Sequence, residues 1–306
     1  MAMYQCKAQN KDEYAVFDAE VNRLDFRSAQ MAGVIREALE NDYFRLHYQP
    51  LKAVDGGLVG FEALIRLEHP NLGTIPPDDF IAIAEHTGLI VRVGNWVLRE
   101  ACRQMAAWHA AGHQHLRINV NVSTVQLMKS NYVAIVKSIL RETRLKPSAL
   151  TLEITETGVM RNLRESHCQI EELRAMGVTI ALDDFGTGYS TLSSLYSLPI
   201  DFVKIDRSFV ARLVEKAEHS LDVIESITTL AHKFGFEIVA EGIEFPEQLT
   251  AIQSIGCDVL QGYLLGRPMP SRDADALLNS NESLTNQLRA FEEALKSNGR
   301  IAALTP

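Results

Sequence analysis

Cysteine is scarce in this sequence. The four present, Cys6, Cys102, Cys168 and Cys257, are scattered and include no C-x-x-C pair, which argues against both a disulfide framework and a zinc knuckle. No apolar run reaches the ~18 residues needed to cross a bilayer, and nothing resembles a signal peptide. The expectation is a cytoplasmic chain, or the cytoplasmic part of something longer, with no membrane insertion. Basic residues are outnumbered, 30 lysines and arginines against 39 acidic residues, for a net charge of −9. With no extended basic tract, wholesale binding to a nucleic-acid polymer is excluded. A single small phosphate ligand stays open through metals and one or two arginines. No glycine-rich phosphate loop follows the first expected parallel strand, which disfavours a doubly wound open sheet.

What is present is a composition of globular type, 46% hydrophobic and 23% charged over 306 residues, enough to bury a sizeable core. From about residue 44, short β-rich runs alternate with helical patterns. FRLHYQPL and LVGFEALIRL flank Asp55-Gly56-Gly57, a hairpin signal, so the first two strands are expected to be antiparallel. Strand and helix then alternate: a helix at 95–111 with apolar Leu98, Ala101, Cys102, Met105 and Trp108, then strands LRINVNV, ALTLEIT, TIALDDF, FVKID, EIVAEGI and DVLQGYLL. Gly112, Gly177, Gly235 and Gly256 stand where helix C-caps belong. Eight such units in roughly 240 residues imply a (β/α)8 TIM-like barrel, α/β in class, with its first strand antiparallel.

Each of these strands ends in a polar residue where a turn residue is ordinary. Glu62, Asn121, Glu153, Asp183-Asp184, Lys204, Glu241 and Gln261 hold these positions, and a parallel barrel gathers them into one cup at its C-terminal face. Alternation puts Glu62, Leu64 and Arg66 on one face of a strand, and likewise Asn119 with Asn121, Glu153 with Thr155, Lys204 with Asp206, and Val239 with Glu241. Oxygen ligands without His or Cys favour Mg2+, Mn2+ or Ca2+. The adjacent Asp183 and Asp184 suit a pair of ions ~3.5–4 Å apart that would serve an in-line phosphoryl displacement. Without metal, at least one of the clustered carboxylates is expected to titrate high. Taken singly, Glu153 or Glu241 reads as a helix cap or an arginine partner, and Asn121 as a satisfied core amide. Lys204 alone also permits a Schiff-base aldolase, but the acids around it should keep it charged. His109, His113 and His115 have metal-compatible spacing at a helix end, although a solvated terminus is the plainer reading. The glycine-containing loop after Asp184 has the composition of a mobile lid.

Taken together, Glu62-Ala63-Leu64 with Arg66, Asn121 in NVS, Glu153 and Glu156 in LEITE, Asp183-Asp184-Phe-Gly-Thr-Gly, Lys204-Ile-Asp206, Glu241-Gly-Ile-Glu244 and Gln261-Gly-Tyr resemble the EAL-domain phosphodiesterases of cyclic di-GMP, over about residues 40–278. The resemblance implies hydrolysis of cyclic di-GMP to linear pGpG with two Mg2+ or Mn2+ ions; Ca2+ would bind but support catalysis poorly. It implies Glu62, Asn121, Glu153 and Asp183 at the first metal, with Asp183 and Asp184 at the second. Lys204 would orient the attacking water, and Glu241 would assist at the metal centre or as base. Gln49, Leu64, Arg66, Asp206, Glu244 and Gln261 would line the substrate pocket, and Glu156 would brace the 184–192 loop that links the site to dimerisation. Leu67 in Leu67-Glu68-His69-Pro70 departs from a tryptophan common in the family and leaves the metal set untouched. A cyclic di-GMP receptor without catalysis is the alternative, and such receptors typically lack one or more of these acids.

The flanks read differently. Residues 1–25 resemble the last helix and strand of a GGDEF (diguanylate cyclase-like) domain, so the expectation is a fragment of a longer GGDEF–EAL protein with an upstream regulatory domain. Residues 26–42 form a linker helix, 43–278 the barrel, and 279–306 a helical tail whose Leu284, Leu288, Phe291 and Leu295 stripe faces the barrel or a partner. A homodimer is expected by resemblance.

Overall fold

A computed structural model describes residues 19–186, 198–213 and 220–279, with side chains from residue 28 onward. The lead-in helix α1 (Ala19–Glu40) precedes strands β1 (Phe44–Ala53), β2 (Leu58–His69) and β3 (Gly73–Ile75). Next come α2 (Pro77–His86), α3 (Ile90–Ala110), β4 (Arg117–Asn121), α4 (Thr124–Leu127) and α5 (Tyr132–Thr143). β5 (Leu150–Thr155), α6 (Glu156–Arg161), α7 (Leu163–Ala175), β6 (Thr179–Phe185), β7 (Phe202–Ile205) and α8 (Arg207–Ala211) follow. The series ends with α9 (Ser220–Phe234), β8 (Glu237–Ala240), α10 (Pro246–Ile255), β9 (Val259–Leu260), β10 (Met269–Pro270) and α11 (Ser271–Asn279).

The sheet runs β1–β9–β8–β7–β6–β5–β4–β2, and β2 pairs back onto β1, closing an eight-stranded barrel. β1 is antiparallel to both β2 and β9, whereas β2 and β4 through β9 run parallel to one another. The hairpin between β1 and β2 forms at Asp55, whose carboxylate accepts the Gly57 N–H (2.9 Å), with Gly56 at φ 91°. That turn fixes the register Gln49↔Glu62. Two short strands add to the expected eight: β3 pairs with the end of β2, and β10 with β1 at His47 and Tyr48. The helix expected at 95–111 begins earlier, at Ile90, directly after the turn at Gly88 (φ 73°), and buries Leu98, Ala101, Cys102, Met105 and Trp108 as its spacing requires. Gly112, Gly177, Gly235 and Gly256 all have positive φ after helices, the conformation that ends a helix most cheaply at glycine.

The strands sort their side chains by the period of two. Ile118, Val120, Leu150, Leu152, Ile154, Ile180, Leu182, Val203, Ile205, Ile238 and Ala240 are buried at 0–1% exposure in the main core, on the face that meets the helices. The alternate residues point into the barrel. Toward the N-terminal ends of the parallel strands these are Ala181, Phe202, Val239 and Val259, which pack with Leu51 as a separate apolar cluster. One step further along, the inward positions become Glu62, Asn121, Glu153, Asp183, Lys204 and Glu241, the set singled out from sequence. α1 packs on α2 and buries Ala32, Ile35 and Ala38. Residues 1–18 of the expected GGDEF-like remnant (1–25) and the expected tail stripe within 280–306 lie outside the described residues, and residues 19–25 belong to α1, which runs unbroken through the boundary expected at 25/26. Among the described residues no helix is long and apolar enough to cross a membrane.

Candidate active site

Lys204, 1% exposed on β7, is the centre of the cup. Its Nζ lies 2.5 Å from Glu241 Oε1, 2.8 Å from Glu153 Oε2, 3.4 Å from Asp183 Oδ1 and 3.8 Å from Glu62 Oε2. Four strands thus converge on one ammonium, although Glu62 stands midway along β2 (Leu58–His69) and not at its end as the sequence suggested. The carboxylates are held in turn by amides. Asn121 Nδ2 donates to Glu62 Oε1 (2.6 Å) and Asn119 Nδ2 to Glu153 Oε1 (2.8 Å). Gln261 Nε2 donates to Glu62 Oε2 (2.6 Å) and to Gln49 Oε1 (3.2 Å).

Four acids against one lysine leave negative charge in excess, and proton affinities respond. Burial opposes the charge of Lys204, but Asp183, Glu153, Glu241 and Glu62 overcome it and hold the ammonium well above its ordinary range. Burial, with Glu62 and Asp183 as like-charged neighbours, pushes Glu153 well up against the pull of Lys204. Glu241 is pushed up to about 7, again mainly by burial. Glu62 goes the other way: burial would raise it, yet Lys204 and the amides of Gln261 and Asn121 hold it below the ordinary carboxylate value. The expectation that at least one carboxylate titrates high is met by Glu153 and Glu241.

Asp183 and Asp184 stand at a bulge, where the β6–β7 register shifts between Leu182 and Phe185. Asp184 adopts φ 55° and donates its N–H to Asp183 Oδ1 (2.9 Å). A strand left to alternate would send the two carboxyls to opposite faces; the bulge interrupts that alternation, with Asp183 lining the cup and Asp184 exposed. Asp tolerates the left-handed region better than most residues. Asp184 is pushed up by partial burial and by Asp183 and Asp206. Glu156, 1% exposed at the start of α6, accepts the Gly186 N–H (2.9 Å), and residues 187–192 of its expected loop lie outside the described residues.

A cavity of about 210 Å³ opens over the cluster, lined by Glu62, Asp183, Lys204 and Glu241, with Gln49, Leu64, Arg207, Glu244, Gln261 and Tyr263 around them. Gln49, Leu64, Glu244 and Gln261 line this cavity. Arg66 lines an adjoining, mostly apolar cavity of about 260 Å³ together with Leu64, Asn121 and Glu153, and Asp206 caps α8 by accepting the Ser208 N–H (3.0 Å). Two participants carry no sequence mark, Arg207 and Gln248, and Tyr263 is marked only as the end of the Gln261-Gly-Tyr motif. Gln248 is buried, accepts the N–H groups of Glu244 and Phe245, and donates to the Val210 carbonyl, tying the loop after β8 to α8. The His109 ring contacts the Leu116 carbonyl at 2.8 Å and ties the end of α3 to the approach of β4.

The set offers carboxylate and carboxamide oxygens with no imidazole or thiolate, and its surplus negative charge fits hard divalent cations. Among the described residues no three carboxylate, imidazole or thiol groups are already spaced around a common point as metal ligands. The carboxylates are turned onto Lys204 Nζ.

The sequence model of the EAL domain matches residues 32–268. The chain is 43% identical over 271 residues to the bifunctional diguanylate cyclase/cyclic di-GMP phosphodiesterase MucR of Pseudomonas aeruginosa, covering 88% of this chain and 39% of that protein. To the cyclic di-GMP phosphodiesterase NbdA of the same organism it is 38% identical over 271 residues, covering 88% and 34%. It spans only about a third to two fifths of these relatives' length. Its structure is similar to that of the PaMucR phosphodiesterase in complex with c-di-GMP, with a TM-score of 0.77 and 44% identity over 80% of this chain and 99% of that one. With the Glu62-Ala63-Leu64 strand, the barrel and the acid-lined mouth all in place, the chain belongs to the EAL domain family.

Proposed function

We propose that the chain hydrolyses cyclic di-GMP to linear pGpG at the Lys204 cluster. The observation that carries this reading is the convergence of Glu62, Glu153, Asp183 and Glu241 on Lys204 in the floor of a cavity that also offers Arg207, Glu244, Gln49 and Gln261. Similarity to the cyclic di-GMP phosphodiesterases MucR and NbdA supports the substrate.

Glu62, Asn121, Glu153 and Asp183 would hold one divalent ion, and Asp183 with Asp184 a second. Mg2+ or Mn2+ there would supply Lewis acidity toward the phosphoryl oxygens and make water acidic enough to attack at neutral pH. The chain's own residues do the rest. Lys204, held charged, orients the attacking water with an N–H donor and offsets negative charge as the phosphorus becomes crowded. Glu241, ion-paired with Lys204 at the floor of the cavity, is placed to accept the water's proton. The water oxygen bonds to phosphorus as the bond to the 3′ oxygen breaks, and that oxygen leaves as a hydroxyl by taking up a proton from Glu241 or solvent, which opens the ring to pGpG. Gln261 Oε1 is buried and meets no donor among the described residues, so it and the Glu244 carboxylate present acceptors to a base edge rich in N–H groups. In the wider assembly, an upstream GGDEF-like domain and a homodimer form part of the same proposal.

The test is chromatography of cyclic di-GMP incubated with chelator-treated protein. Linear pGpG is expected with Mg2+ or Mn2+ and not without them, and Ca2+ is expected to support little turnover. Micromolar binding of the nucleotide with no product under any ion would replace the enzyme with a receptor.

A further inference from the structure

Each buried carboxylate of the cluster has both oxygens tied. Glu62 is held between Asn121 and Gln261, and Glu153 between Lys204 and Asn119. Three of those partners belong to the set of polar residues at strand ends; Asn119 does not. It sits two residues earlier on β4, 7% exposed, in register with Glu62 on one side and Thr151 on the other. Asn121 on the same face reaches β2, whereas Asn119 reaches β5. One strand therefore brackets the two most deeply buried acids of the cup from between them.

The underside of Asn119 faces different surroundings. It lines a second cavity, about 150 Å³, with Leu51, Val59, Thr151, Phe202, Val239 and Val259, near the N-terminal ends of the parallel strands. The Asn119 amide is the contact that fixes Glu153 Oε1, because Lys204 engages Oε2.

We infer that Asn119 is a positioning residue: its amide fixes the Glu153 carboxylate in the orientation from which it holds a divalent ion. This rests on the metal-dependent reading above. A hydrogen-bonding partner behind a metal ligand sets the ligand's direction, and its loss typically weakens metal binding about tenfold to a hundredfold. The role belongs to the donor, not to the volume, and that separates it from packing. Asn119→Leu keeps the size and removes the donor; Asn119→Ala removes both.

The experiment is calorimetric titration of Mn2+ into chelator-treated wild type, Asn119→Leu and Asn119→Ala, with thermal unfolding of each metal-free protein. Mn2+ affinity is expected to fall by about tenfold or more in both variants, by similar factors despite their different volumes. If Asn119→Leu binds Mn2+ like wild type and only Asn119→Ala is impaired, the residue is a packing element and the inference is overturned. Should Asn119→Leu fail to fold, wild-type affinity in Asn119→Ala overturns it equally. Absence of Mn2+ binding by wild type would overturn the metal reading itself, and this inference with it.

Discussion

At the scale of single residues, Lys204 and Glu241 divide the work of one hydrogen-bonded pair. A lysine buried without partners drifts toward neutrality, as a Schiff-base lysine must. Lys204 has four acids within 3.8 Å and is driven the other way, so it serves as a fixed cation and not as a nucleophile. Glu241 bears the opposite consequence, since burial and the neighbouring acids lift it from the ordinary 4.5 to about 7. A carboxyl that binds its proton more tightly in the folded state stabilises the fold fully below its unfolded value. That contribution is lost as pH rises through the folded value. Chelator-treated wild type is therefore expected to lose stability between pH 4.5 and 7 relative to Glu241→Gln, by no more than about 3 kcal/mol. Thermal midpoints of the two proteins across that window test this, and parallel curves would assign the raised proton affinity to another group.

Elements explain why some of the site was legible and some was not. Period-two alternation in short parallel strands is a strong signal, so Glu62, Asn121, Glu153, Lys204 and Glu241 could be placed on inward faces before any coordinates. The hairpin at Asp55-Gly56-Gly57 likewise fixed which strand is reversed. The bulge at Asp183-Asp184 could not be read, because it arises from the register between β6 and β7 and from φ 55° at Asp184, neither of which leaves a mark in composition. Gln248 stayed hidden for a related reason, and Asn119, placed on one face with Asn121, gave no sign of its Glu153 partner: a buried amide is ordinary until its partners are known. Arg66 and Asp206 share inward faces with site residues, and alternation gives direction without height: Arg66 lines the adjoining cavity with Asn121 and Glu153, and Asp206 caps α8. Glu156 shows how elements are joined. It begins α6 at the end of β5 and accepts the N–H of Gly186 just past β6. Glu156→Ala is expected to free that amide and raise its hydrogen-exchange rate about tenfold or more, for a lost hydrogen bond of about 1.5–3 kcal/mol to a charged group. Turnover is expected to fall with it. Unchanged exchange at Gly186 would remove Glu156 from the bracing role.

For the molecule as a whole, the decisive feature is how the barrel closes. β1 is paired with β2 along almost its whole length, but its other edge is shared: β9 takes Lys52 and Ala53, and β10 takes His47 and Tyr48. That seam carries Gln49 and Gln261 from its two sides, so the substrate end of the cup depends on it. The residues that reinforce it lie outside the barrel. Trp108 of α3, 3% exposed, packs against Tyr48 of β1 (5.0 Å between ring centroids) and Phe61 of β2 (4.8 Å). Its indole Nε1 donates to Asp275 Oδ1 of α11 at 2.6 Å. The matched family region ends at residue 268, yet α11 and β10, both beyond it, complete the packing around the seam. Asp275→Ala would leave a buried indole N–H without its acceptor, which costs about 1–3 kcal/mol. The unfolding midpoint is then expected to drop by a few degrees, with Trp108 fluorescence shifted to longer wavelength. Asp275→Asn retains an acceptor oxygen at the same place and is expected to recover most of the loss. If both variants unfold like wild type, α11 is a passive appendage, and closure of the barrel rests on the two short pairings of β1 alone.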